Sequence, residues 1–275
     1  MGNATNENFP VALRLIPARY RRHLWALYCF ARFTDDIGDQ AKDQATDQKT
    51  LRLTLLDELE ADIDRIYAGD QPRTPALAPL ATAISECGIP GQPFRRLIEA
   101  NRQDQRVTRY PQYQDLDQYC TLSANPVGEV VLYIFGAATP ERIALSDRIC
   151  TALQLAEHWQ DVAEDLAAGR IYLPQEDMVR FGVTEADLAQ PVTGQAVKQL
   201  MGFEVTRASR LLDDGAPLVG TLKGSARLAV AGYLAGGRAA LAAIEAADYD
   251  VLRVTPRPRK PKMVTELAKA YLRGR

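Results

Sequence analysis

Apolar residues recur at intervals of three and four along almost the whole chain, which is the spacing of one face of an α-helix. In the first such run, Leu24, Leu27 and Ala31 follow Pro17, and proline is a residue type that often opens a helix. The pattern therefore predicts a first helix from Pro17 to about Asp36.

Further helices are predicted at 48–68, 75–87, 91–103, 115–135, 140–168, 195–212, 216–247 and 263–272. The pair Asn125-Pro126 should interrupt the helix at 115–135, because proline lacks the N–H that a helix interior uses. Gly169 stands where the helix at 140–168 should end. No segment shows sustained β alternation, so we expect an all-α protein with one domain over residues 1–275. A basic, proline-rich connector and a short C-terminal helix occupy about 256–275.

Composition removes several classes of function. The 33 basic and 35 acidic residues nearly cancel, whereas a nucleic-acid surface needs a clear basic excess, so no nucleic-acid partner is expected. The four cysteines are scattered and the two histidines lie far apart, which gives little support for a zinc site and favours free thiols in a reducing cytoplasm.

The N-terminal segment is polar, unlike a signal peptide, and no apolar run approaches the roughly 20 residues that span a bilayer. We expect a cytoplasmic protein, with transient contact to the inner face of the membrane through the basic connector. The oligomeric state stays open.

Two acidic clusters carry the candidate chemistry. Asp35 and Asp39 are four residues apart at the end of the first helix, so they share one helical face. At 100° per residue, a second stripe forms on the long helix at 140–168, made of Gln154, Glu157, Asp161 and Asp165.

Carboxylates at this spacing repel each other, so the stripe costs stability unless a cation lies against it. Mg²⁺ is the natural partner because it takes oxygen ligands and commonly binds through one or two carboxylates plus substrate phosphates. Two such clusters facing each other would hold metal ions around one diphosphate and assist its departure. The alternative is that each cluster is an ordinary solvated helix face, and for one cluster alone that interpretation is the better one.

The residues around both clusters resemble the squalene and phytoene synthase family. Residues 24–39, LWALYCFARFTDDIGD, look like the family's first motif, and residues 160–174, QDVAEDLAAGRIYLP, look like its second. The resemblance extends from about residue 8 to residue 260. It implies an all-α isoprenoid-synthase bundle like that of the trans-prenyl diphosphate synthases.

The same resemblance implies roles for individual residues. Mg²⁺ would be held by Asp35, Asp39, Asp161 and Asp165, with Glu157 as a further oxygen ligand where the family usually has Asn. At Gln160 the wider family often has Arg. Substrate would be bound by Arg32 and Arg170 at the diphosphate, together with Gln154 and Tyr28. Catalytic residues in the reaction cavity would include Tyr119, Asn125 and Tyr172.

One branch of the family fits best. Residues 119–128, YCTLSANPVG, look like the branch that makes hydroxysqualene in bacterial hopanoid pathways. The implied reaction converts presqualene diphosphate and water to an alcohol and diphosphate without NADPH, and Ser123 and Asn125 are the polar groups expected to hold the water.

Two alternatives remain open. The chain could be a head-to-head prenyltransferase that joins two molecules such as farnesyl diphosphate, because both reactions would use the same metal site. It could also be a non-catalytic assembly factor on the same fold. Such factors generally lose the aspartates, and all four are present here.

Overall fold

The computed structural model describes residues 16–39, 46–258 and 260–273, without the side chains of residues 39, 46, 47, 260 and 273. In the first half of the chain the helices are α1 Ala18–Asp39, α2 Thr46–Tyr67, α3 Ala78–Cys87, α4 Gln92–Asp104, α5 Tyr113–Ser123 and α6 Asn125–Ile134. In the second half they are α7 Pro140–Gln160, α8 Val162–Ala167, α9 Gln175–Arg180, α10 Glu185–Leu188, α11 Gln195–Gly215, α12 Leu218–Thr221, α13 Gly224–Ala246 and α14 Lys260–Arg273.

The all-α prediction is confirmed. Across the described ranges the chain forms no strand, and its one β-type contact is an isolated bridge between Arg109 and Ile171. The predicted interruption at Asn125-Pro126 is also confirmed, since α5 ends at Ser123 and α6 begins at Asn125. Gly169 follows α8 with a φ of +82°, a left-handed conformation that suits glycine at a helix end.

Two helices predicted as continuous are each divided into two in the structure. The helix expected at 140–168 breaks at Asp161, whose φ of −107° and ψ of 20° separate α7 from α8. Repulsion among the carboxylates of the acidic stripe is a physical reason for this departure. The helix expected at 216–247 is two helices, because Leu222 is extended and Gly224 has a φ of +54°.

The helices pack around two hydrophobic cores. The larger core surrounds α7, α11 and α13, and includes Trp159, Leu155 and Leu212, all fully buried. The smaller core joins α1, α2, α3, α4 and α6 through residues such as Phe30 and Phe94, whose rings meet edge to face. Helices α4 and α6 contribute buried residues to both cores and so join them.

Helix α13 is, among the described helices, the one long and apolar enough to cross a membrane by length and composition. However, 61% of its most apolar window is buried against the rest of the protein, and the core helices of water-soluble proteins pass the same test. The finding is therefore weak evidence for a membrane span.

The connector expected to be a solvated loop is only partly so. Pro256 is buried, and its carbonyl accepts a hydrogen bond from the Gln160 side chain at the end of α7. Arg257 is exposed, and residue 259 lies outside the described residues. The connector is therefore attached to the end of α7 rather than free in solvent. It lies beside the second acidic cluster, residues 154–165, which is called the second acidic segment below; the first acidic segment is residues 35–39.

Candidate active site

A cavity of about 300 Å³ lies where α1, α4, α5, α7 and α8 meet. The acidic side chains that line it come from three separate parts of the sequence and are Asp35, Asp104, Glu157, Asp161 and Asp165. The fold thus brings both predicted acidic segments to one place, and it adds a fifth carboxylate that the sequence did not indicate.

The first acidic segment approaches the cavity along the last turns of α1. Asp35 is exposed at the mouth, and Asn101 Nδ2 on α4 donates a hydrogen bond to Asp35 Oδ1 over 3.3 Å. Gly38 permits this approach, because a Cβ at that position would lie 2.2 Å from Asn101 Oδ1. Asp39 is the last residue of α1, and its side chain lies outside the described residues.

The second acidic segment crosses the break between α7 and α8. Backbone hydrogen bonds from Asp161 to Glu157 and from Asp165 to Asp161 survive the break, so the three carboxylates stay on one side. Burial, together with the negative charge of Glu164, Glu157 and Asp165, raises the pKa of Asp161 to about 6, while the positive charge of Arg257 opposes these effects.

Aromatic rings close the cavity beside these acids. Tyr119 donates a hydrogen bond to Asp104 Oδ2 over 3.0 Å, and burial raises the pKa values of Tyr119 and Tyr172, which keeps their hydroxyls protonated. The His158 and Tyr172 rings stack at 3.6 Å between centroids. His158 Nε2 lies 3.1 Å from Gln154 Nε2, and its Nδ1 lies 3.7 Å from Asp165 Oδ2.

His158 and Asp104 are cavity residues that the sequence analysis did not assign. A signal existed for His158, because it is four residues after Gln154 and neighbours on a helix at this spacing touch. Asp104 gave no signal of its own, since it is one of many acidic residues at helix ends and reaches the cavity through tertiary packing.

Arginines stand at the edge of the same cavity. Arg32 lines it, and its Nε pairs with Asp36 Oδ1 at 3.1 Å on the exposed side of α1. Arg170 lines it from the segment after α8, where its backbone N–H donates to the Asp165 carbonyl over 2.8 Å. Both place positive charge at the edge of the acid-lined cavity.

Not every predicted residue lines the cavity. The described lining does not include Tyr28, which stacks on the exposed Trp25, or Asn125, which is buried and accepts a hydrogen bond from Thr151 Oγ1 over 3.1 Å. Ser123 does line it, and within the described chain its buried hydroxyl oxygen has no hydrogen-bond partner. Of these two polar residues, Ser123 is therefore the one that lines the cavity.

The residues present fit Mg²⁺ shared with a phosphate group. Asp161 Oδ1 is buried and, among the described residues, accepts no hydrogen bond, which is costly unless a cation or water binds it. No three His, Cys, Asp or Glu side chains of the described chain are close enough to hold an ion by themselves. The unpartnered Asp161 oxygen is the kind of donor that Mg²⁺ takes, since this ion commonly binds through one or two carboxylates with substrate phosphates completing its shell.

The all-helical fold and the acid-lined cavity define a helical isoprenoid synthase. The family model for squalene/phytoene synthase matches residues 3–264, and the chain belongs to that family. A 15-cis-phytoene synthase of Synechocystis sp. is 32% identical over 98% of this chain and 81% of its own length. A hydroxysqualene synthase of Rhodopseudomonas palustris is 36% identical over 79% of this chain and 72% of its own length.

Solved structures agree with this membership. The crystal structure of squalene synthase HpnC from Alicyclobacillus acidocaldarius is 40% identical, with a TM-score of 0.79 over 87% of this chain and 88% of that one. A dehydrosqualene synthase in complex with a ligand has a TM-score of 0.85 over 96% of this chain and 91% of that one. At 24% identity, the second likeness shows the fold alone.

Proposed function

We propose that the protein converts presqualene diphosphate and water to hydroxysqualene and diphosphate, using Mg²⁺ held between the two acidic segments. The observation that carries the proposal is the shared cavity, in which both acidic segments, two arginines and the orphaned Ser123 hydroxyl meet. The likeness to a hydroxysqualene synthase and to a solved HpnC protein supports this choice within the family.

The carboxylates of the second segment and Asp35 hold the metal ions, and Arg32 and Arg170 bind the diphosphate. Mg²⁺, when bound, neutralises charge on the leaving diphosphate. The carbon–oxygen bond breaks with its electron pair on diphosphate, and the remaining cyclopropylcarbinyl cation rearranges. The faces of Tyr119 and Tyr172 stabilise this cation through their ring electrons.

In this proposal the fate of the cation depends on a water beside Ser123. The oxygen of that water would attack the allylic cation, forming a new carbon–oxygen bond, and one proton would be lost to solvent. Asn125 contributes indirectly, because its bond to Thr151 fixes the start of α6 and with it the position of Ser123 at the end of α5.

Product analysis tests the proposal. The purified protein is incubated with presqualene diphosphate and Mg²⁺, with and without NADPH, and a C30 alcohol is expected in both cases. Ser123→Ala should lower the alcohol fraction in favour of hydrocarbons at unchanged stability. Asn125→Ala is the matched comparison, and it should cost about 1–2 kcal/mol of stability because a buried hydrogen bond is lost. Conversion wholly to squalene with NADPH would overturn the assignment.

A second candidate function is head-to-head prenyl transfer that yields presqualene diphosphate, squalene or phytoene. It is favoured by the phytoene synthases among the relatives, which match nearly the whole chain at about 30% identity. Incubation with farnesyl diphosphate alone separates the two, because a transferase releases diphosphate from it and the proposed enzyme does not.

A further inference from the structure

A cluster of three charged or ionisable side chains lies between α9 and α11, outside the acid-lined cavity. Arg207 Nη1 on α11 donates a hydrogen bond to Asp177 Oδ2 on α9 over 2.8 Å. It also donates to both carboxyl oxygens of Glu204, one turn earlier on α11, over 2.9 and 2.8 Å. Glu204 is fully buried and Asp177 is 4% exposed. We call these three residues the buried cluster, and none of them lines the cavity.

The buried cluster holds two carboxyl groups against one guanidinium. If both carboxyls were ionised, one negative charge would stay in the interior without a partner, which is costly. Burial raises the pKa of Glu204 to about 8; the charge of Arg207 opposes this effect, and Asp177 reinforces it. Near pH 7 the Glu204 carboxyl is therefore protonated, and it donates the hydrogen bond that it forms with the Asp177 side chain.

A third helix packs on the same cluster. The guanidinium of Arg207 lies 4.0 Å from the centre of the Tyr113 ring, at the start of α5. The ionisable groups that face Glu204 are thus Arg207 on its own helix, Asp177 on α9 and Tyr113 on α5. The proton on one buried carboxyl therefore bears on the contact among three helices.

Residues 170–177, called the linking segment below, run from the cavity to the buried cluster. They lie beside the chain between α4 and α5. The Ile171 N–H donates a hydrogen bond to the Thr108 carbonyl over 2.9 Å, and the Gln175 N–H donates one to the Tyr110 carbonyl over 2.9 Å. Backbone hydrogen bonds thus hold the linking segment along its length.

The two ends of the linking segment meet different surroundings. Arg170 and Tyr172 at its start line the cavity. Near its end Glu176 Oε1 accepts a hydrogen bond from the Tyr113 backbone N–H over 2.7 Å, and Asp177 enters the buried cluster. The position of Asp177 is therefore linked through one short, hydrogen-bonded segment to the positions of two cavity residues.

We propose that Glu204 and Arg207 are positioning residues for the active site, which hold Asp177 and, through the linking segment, keep Arg170 and Tyr172 in place at the cavity. The proposal rests on the proposed function in that diphosphate release is the activity measured. A carboxyl group at 204 makes the arrangement sensitive to pH. When it loses its proton to solvent, it no longer donates to Asp177, and the two carboxylates repel each other.

The rate of diphosphate release in saturating Mg²⁺ between pH 6.5 and pH 9 tests the positioning role. The substrate is presqualene diphosphate or farnesyl diphosphate, whichever the protein turns over. Glu204→Gln keeps a neutral donor, so its kcat/KM should match that of the unchanged protein at pH 7. At pH 9 it should exceed the unchanged protein up to about tenfold, because only about a tenth of the unchanged protein keeps the Glu204 proton there. Glu245→Gln, which changes an exposed glutamate on α13, is the matched control and should follow the unchanged protein at every pH.

Glu204→Leu is the second variant, because it fills similar space and removes the hydrogen bond to Asp177. Its kcat/KM should fall about tenfold at pH 7, and thermal melting confirms that each variant is folded at the assay temperature. A purely structural role would lower only its melting temperature. Unchanged kcat and KM in Glu204→Leu, or a Glu204→Gln profile that follows the unchanged protein to pH 9, would overturn the proposal. Turnover of farnesyl diphosphate instead of presqualene diphosphate would overturn the proposed function, while the same comparison of variants still decides the positioning role.

Discussion

Asp161→Asn tests whether the negative charge of the second acidic segment destabilises the protein when no metal is bound. Burial and neighbouring negative charge raise the pKa of Asp161 from 3.8 to about 6. Two pKa units correspond to roughly 3 kcal/mol of stability, and because the group is only half-buried we expect about 1–1.5 kcal/mol.

The sign follows from the direction of the shift. A carboxyl whose pKa is higher in the folded state than in the unfolded state favours folding fully below about pH 4. That contribution is lost as the pH rises through about 6. The asparagine variant does not ionise, so without metal it should match the unchanged protein near pH 4 and exceed it above pH 7. A gain of about 1–1.5 kcal/mol corresponds to a melting temperature higher by roughly 3–5 °C.

Thermal melting from pH 4 to pH 8 in a chelating buffer measures this gain. Asp70→Asn is the control, because it removes an exposed carboxylate that does not line the cavity. Activity should change in the opposite direction to stability. With Mg²⁺ and substrate present, diphosphate release by Asp161→Asn should fall at least about 100-fold relative to the unchanged protein. A variant that is less stable at pH 8, or that turns over normally, would refute the reasoning about a strained metal site.

Three further predictions rest on single residues. Gly38→Ala should cost about 1–3 kcal/mol and weaken Mg²⁺ binding, because the new methyl displaces Asn101 from Asp35; a titration identical to the unchanged protein would contradict this. Burial raises the pKa of Glu204 from 4.5 to about 8, so the stability that its protonated form contributes is complete below about pH 4.5 and is lost as the pH rises to about 8. Glu204→Gln should therefore flatten the melting profile between about pH 5 and pH 8. Glu157→Asn should stay active with an altered Mg²⁺ optimum, whereas complete loss of activity would give Glu157 a role of its own.

The helices were predictable because their causes are local. Apolar periodicity marks α1 and α2 within a few residues of their observed bounds, and Pro126 and Gly169 act on the backbone that immediately surrounds them. The break at Asp161 escaped the pattern, since a run of helix-compatible residues continues through it. Repulsion among the carboxylates that the fold gathers there is a physical reason for the break, and apolar periodicity does not report that gathering.

The acidic lining of the cavity was predictable where residue types and spacing mark it, since Asp35, Glu157, Asp161 and Asp165 all line it. The position of Asp104 could not be predicted, because it depends on how α4 packs against α5. Which polar residue near the start of α6 lines the cavity also depended on packing. Asn125 and Ser123 are equally polar in the sequence, and only the bond from Thr151 to Asn125 leaves Ser123 as the group without a partner.

The break between α5 and α6 has a consequence for how this family diversifies. The residues that would release the diphosphate come from α1, α7 and α8, whereas the hydroxyl that would decide the product stands at the end of α5. Under the proposed function, ionisation and product choice would thus be encoded in different stretches of the gene. Substitutions confined to 123–126 would then change the product while the residues of α1, α7 and α8 are inherited unchanged.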